Sequence, residues 1–95
     1  MSEITNTILK LKSIIEGAKR EMRTLEIKGR NSINLIRSKL DLLNLDESED
    51  LTNLDIESVD VEFTELKETL ARLSEVKIKV HDADKEIKQI KKQLE

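Results

Sequence analysis

The chain has 95 residues, 37% hydrophobic and 39% charged, with a net charge of −3, two glycines, one aromatic residue (Phe63), no proline and no cysteine. That length allows one domain, and the missing cysteines exclude disulfides, thiolate metal centres and cysteine nucleophiles. So little proline, glycine and aromatic content removes turn and sheet punctuation and favours long helices that each bury only a stripe.

No apolar run is long enough to cross a bilayer, and Lys10 and Lys12 interrupt the first apolar stretch too early for a signal peptide. The chain therefore reads as cytoplasmic. Its charge is unevenly spread. Residues 1–40 carry nine basic and four acidic side chains, residues 41–65 ten acidic and no basic ones, and residues 66–95 eight basic and six acidic ones. An acidic block lies between two mildly basic arms.

Ser2 is placed to cap a first helix, with Glu3 in its first turn set favourably against the helix dipole. Ile4, Ile8, Leu11, Ile15, Ala18, Met22 and Leu25 then recur at alternating spacings of four and three, the heptad seam of a helix lying along another helix. Strict continuation brings Gly29, Ser32, Ile36, Lys39 and Leu43 to the seam. An insertion of four residues, a stutter, brings the more apolar set Gly29, Ile33, Ile36, Leu40 and Leu43. Hydrophobicity favours the stutter, in a helix running from about 3 to 44.

The connector, about 45–54, is rich in turn and capping residues: Thr52 with Asp55 resembles a capping box, and Asp55 and Ser58 are alternative caps. Val59, Val61 and Phe63 alternate with acids as in a strand, but a lone strand has no ladder to join. The second helix, about 55–94, carries Ile56, Val59, Phe63, Leu66, Leu70, Leu73, Val76, Val80, Ala83, Ile87, Ile90 and Leu94.

Folding this helix back on the first pairs Ile4 with Leu94, Ile8 with Ile90, Leu11 with Ile87, Ile15 with Ala83, Ala18 with Val80, Met22 with Val76 and Leu25 with Leu73. Beyond the stutter the partners become Gly29 with Leu70, Ile33 with Leu66, Ile36 with Phe63, Leu40 with Val59 and Leu43 with Ile56. The expected fold is all-α, a single domain over 1–95. It is an elongated antiparallel two-helix coiled-coil hairpin, dimerising into a four-helix bundle. A register shifted by about two turns strands Ile4, Ile8, Ile56 and Val59. The same ladder formed between two chains is a domain-swapped alternative.

The chemistry-bearing residues do not assemble into a catalytic set. His81 is the only histidine, and with Asp84 it offers at most two metal ligands on an outward face. The chain is read as a non-enzyme without cofactor. Gly29 relieves crowding against Leu70 in one reading; in the other it opens an anion site among Lys28, Arg30, Arg72 and Arg23. Apolar residues outside the ladder concentrate near the turn, where Leu35, Leu42, Leu45, Leu54 and Val61 are the candidate partner-binding residues. They suit a non-enzymatic interaction or scaffold module that binds a second copy or a partner helix. The alternative is a nucleic-acid-associated protein using the basic open end, with Lys10, Lys12, Lys85, Lys88, Lys91 and Lys92.

Overall fold

A computed structural model describes residues 2–42 and 55–94. Two α-helices, α1 (Ser2–Leu42, 41 residues) and α2 (Ile56–Leu94, 39 residues), lie against each other as an antiparallel hairpin. At 1.5 Å per residue each is about 60 Å long. The pair makes a rod only 16 × 16 Å in cross-section. Residues 59–63 are helical, as the three- and four-residue spacing required. Leu45, Leu54 and the Thr52 capping signal lie outside the described residues.

Local signals set the helix ends. The Ser58 amide donates to Asp55 Oδ1 at 3.2 Å, which makes Asp55 the cap of α2. Glu3 and Glu57 occupy first turns, and Lys39, Lys91 and Lys92 occupy last turns, each with the charge the helix dipole favours.

The arm half of the seam follows the ladder read from sequence except at its open end, where Ile4 and Leu94 are 37% and 56% exposed. Leu11, Ala83 and Ile87 form a buried cluster against which Ile15 and Ile90 pack. Ala18 is buried, Met22, Leu25, Leu73 and Val80 are half-buried, and Val76 is the most enclosed side chain at 1% exposure.

The turn half does not follow that ladder. The heptad continues without a stutter: Gly29, Ser32 and Ile36 are buried in α1 and Lys39 is half-buried. In α2 Val59 and Thr69 are buried, and Glu62 and Leu66 half-buried. Ile33, Leu40, Ile56, Phe63 and Leu70, assigned to the core by hydrophobicity, are 39–56% exposed. Taking the seam positions as a and d, each of these five residues is an e residue that directly follows a polar d residue. The pairs are Ser32-Ile33, Lys39-Leu40, Asp55-Ile56, Glu62-Phe63 and Thr69-Leu70.

The physical reason is continuity. A stutter requires both helices to change supercoil locally and at the same level. A smooth heptad keeps the phase imposed by the apolar layers of the arm. Its polar positions are accommodated because Ser32 and Thr69 are small and Lys39 carries its ammonium along an aliphatic stem to the Ser58 carbonyl and Glu62.

Candidate interaction surface

The hairpin has two flanks, one formed by the g columns of both helices and one by the e columns. Ion pairing marks the g flank. Arg72 grips Glu21 across the helices with two hydrogen bonds, Nε to Oε2 at 2.9 Å and Nη2 to Oε1 at 2.8 Å. It also reaches Glu75 Oε2 at 3.2 Å. The hydrogen bonds from Arg72 hold the Glu21 carboxyl below its ordinary value, and those to Glu21 and Glu75 raise the Arg72 guanidinium further. Arg72 pairs with Glu21 and Glu75.

The residues singled out from sequence near the turn divide as follows. Leu35 and Leu42, seven apart, lie in the g column of α1. Leu42 is 85% exposed and shares a shallow depression with Lys39, Asp55, Ser58 and Val59. Val61 is exposed on the outer face of α2, next to its g column. These three occur on one side of the rod but make no continuous strip, because the α2 column beside Leu35 and Leu42 holds Ser58 and Glu65.

The continuous apolar strip is on the opposite flank and consists of the five residues displaced from the core. Ile33 and Leu40 line the edge of α1, and Ile56, Phe63 and Leu70 the edge of α2. Ile33 and Leu70 border one groove together with Glu26, Gly29, Arg30, Leu66 and Leu73. Sequence reasoning missed this strip because it counted the five as core. The signal was present in the e column itself. Through the arm it reads Thr5, Lys12, Lys19 and Glu26 in α1, and Lys77, Asp84 and Lys91 in α2; near the turn it is apolar in both helices. The change occurs at the same level of the rod on the two helices, beside the Leu25–Leu73 layer.

Beneath the strip the seam is polar. Lys39 Nζ donates to the Ser58 carbonyl at 3.0 Å and pairs with Glu62 Oε1 at 3.3 Å, while Glu62 Oε2 is buried without a hydrogen-bond partner. Ser32 and Thr69 are each 3% exposed.

Gly29 answers neither sequence reading. A methyl group there would meet Thr69 Cγ2 at 3.8 Å and Leu66 Cδ1 at 3.9 Å, ordinary contact distances. Leu70 is not the crowding neighbour, and Arg72 is engaged with Glu21 and Glu75 rather than gathered with Lys28 and Arg30. His81 is exposed, with Nδ1 3.7 Å from Asp82 Oδ1, and Asp84 instead receives Lys88 at 3.1 Å. Among the described residues no cluster of three or more His, Cys, Asp or Glu side chains could hold a metal, and no helix is long and apolar enough to cross a membrane. The lysines of the open end are exposed, Lys88 being the one tied to a neighbouring acid. Comparison with protein-family models, curated proteins and solved structures finds no match.

Proposed function

We propose that this chain is a non-enzymatic helical interaction module. Its arm half is a stiff two-stranded support, and its turn half presents an apolar flank to another helix. The observation that carries this reading is the apolar e column that both helices expose near the turn. A two-stranded coiled coil needs apolar residues at a and d alone, whereas a bundle helix adds e or g. The arms have the narrow pattern. The turn half has polar residues at d and five large apolar side chains at e, which the hairpin by itself leaves 39–56% exposed. Ile33, Leu40, Ile56, Phe63 and Leu70 are the main contact residues, with Leu35, Leu42 and Val61 on the far side as a lesser surface.

A photoreactive amino acid at Leu40 tests the reading in cells that make the chain, with the same residue at Lys12 as the arm control. The expected outcome is a discrete protein adduct, to itself or to another protein, from position 40 and not from position 12. Absence of any adduct from position 40, or equal labelling from both, would sink the proposal.

A further inference from the structure

The occupant of the apolar flank can be identified further, on the footing that the flank is an interaction surface. We infer that it is a second copy of this chain, joined flank to flank by a two-fold axis into a four-helix bundle confined to the turn halves.

Three observations support self-association. The first is symmetry of pattern. Both helices of the hairpin begin to carry apolar residues at e at about the same level, and both present them on the same flank. A single added helix would cover the groove between them but leave the outer edges of Phe63, Leu70 and Leu40 in water. A second hairpin offers two helices with the same two apolar e columns. A two-fold axis sets the same patch of each copy against the other, so that each apolar column of one hairpin meets an apolar column of its partner.

The second is area. The apolar part of the flank is about 25 Å long on a rod 16 Å wide, about 400 Å² in projection. Doubled over two copies and increased by side-chain relief, this reaches roughly 1,000 Å² of buried surface, the lower bound for a specific interface. The association should therefore be reversible and weak, in the micromolar range.

The third is the reach of the chain's own connector. Thirteen peptide steps join Leu42 to Asp55, a contour of about 45 Å fully extended. Running down the flank to Leu70 and back again takes about 35–45 Å, so the segment would have to be drawn nearly straight. Its leucines, Leu43, Leu45, Leu51 and Leu54, stand towards its two ends, and its middle is Asp46, Glu47, Glu49 and Asp50, poor cover for an apolar strip. The connector can reach Leu40 and Ile56; it cannot comfortably seal the whole flank.

Sedimentation equilibrium from about 5 to about 500 µM tests the inference. The samples are the wild-type chain, two flank variants of opposite charge (Ile33→Glu with Phe63→Glu, and Leu40→Lys with Leu70→Lys), and a far-side variant, Leu35→Glu with Leu42→Glu. Circular dichroism follows each sample. Wild type should show a reversible monomer–dimer equilibrium. Each flank variant should weaken it at least a hundredfold with the helical spectrum retained, and the far-side variant should associate as wild type does. Two flank variants guard against one simply failing to fold, and the comparison rests on whichever keeps its helical spectrum. A wild-type monomer at the highest concentration overturns the inference, and so does association lost only in the far-side variant. Loss of helix in both flank variants, at concentrations where wild type is monomeric, would return these residues to the hairpin's own core and also overturn it. A monomer that still gave a foreign adduct from position 40 would remove the second copy as occupant and leave the interaction module standing. A monomer with no adduct would remove both.

Discussion

At the scale of single residues, two positions make direct predictions. Gly29 sits in a helix interior, where glycine costs about 1 kcal/mol relative to alanine, and an added methyl group meets only ordinary contacts with Thr69 and Leu66. Gly29→Ala should therefore raise stability by about 1 kcal/mol in a denaturant titration; a loss would mean that the helices approach more closely there than this structure has them. Glu21 gives a pH-dependent prediction. Its carboxyl lies below the ordinary value of 4.5 because Arg72 donates to it. A group depressed on folding contributes stability above the unfolded value, and that contribution disappears as pH falls through the folded value. Glu21→Gln should thus melt slightly below wild type at neutral pH, and the difference should close as pH falls below 4.5. The raised value of Arg72 acts only in strong alkali and leaves the acid limb to Glu21. A melting difference that stayed constant with pH would detach the effect from the Glu21 carboxylate.

At the scale of the elements, the arms were legible in the sequence and the turn half was not. In the arm every a and d residue is apolar and, apart from Leu9 beside Ile8 and Ile14 beside Ile15, its neighbours are not, so hydrophobicity and heptad phase select the same stripe; the cluster of Leu11, Ala83 and Ile87 is the result. Near the turn the two criteria part by one residue. Hydrophobicity selects Ile33, Leu40, Phe63 and Leu70; phase selects Ser32, Lys39, Glu62 and Thr69, each one residue earlier. Sequence alone weighs side chains one at a time and takes the apolar set. The folded helices are stiff, and the phase established by the arm carries through. The same error hid the candidate surface, since residues counted as core could not also be counted as exposed. Leu35, Leu42 and Val61 were legible as surface because they fit no ladder. The polar layer now at the seam gives a double-mutant test. Lys39→Met leaves the half-buried Glu62 without its cation and should cost about 2 kcal/mol. Lys39→Met combined with Glu62→Met removes both charges and should recover most of that loss in urea unfolding. Additive effects would mean that the 3.3 Å pair is not coupled energetically.

At the scale of the whole molecule, the rod has a graded seam rather than a uniform one. From Leu11 to Leu25, and from Leu73 to Ile87, the layers are apolar, and Val76 and Ala83 are almost wholly enclosed. From Gly29 to Lys39, and from Val59 to Thr69, small, polar or charged residues take alternate seam positions along each helix, so less apolar surface leaves water per turn of helix. Local opening free energy follows buried apolar contact rather than nearness to the connector. Native-state hydrogen exchange by NMR, at dilution, should therefore find the slowest amides at residues 11–25 and 73–87 and faster exchange at residues 29–39 and 59–69. That order is opposite to the one expected if the hairpin were held chiefly by closure of its turn. It also ties the two halves of the molecule to its proposed role. A half that is weakly sealed alone, with an apolar strip along its flank, is the half that gains most from being covered. Raising the concentration should slow exchange at residues 29–39 and 59–69 and leave the arms almost unchanged, because a ligand stabilises the segments whose opening would release it. Slowest exchange in the turn half at dilution would instead show that the Lys39–Glu62 layer and its neighbours hold the helices more firmly than the apolar layers of the arm.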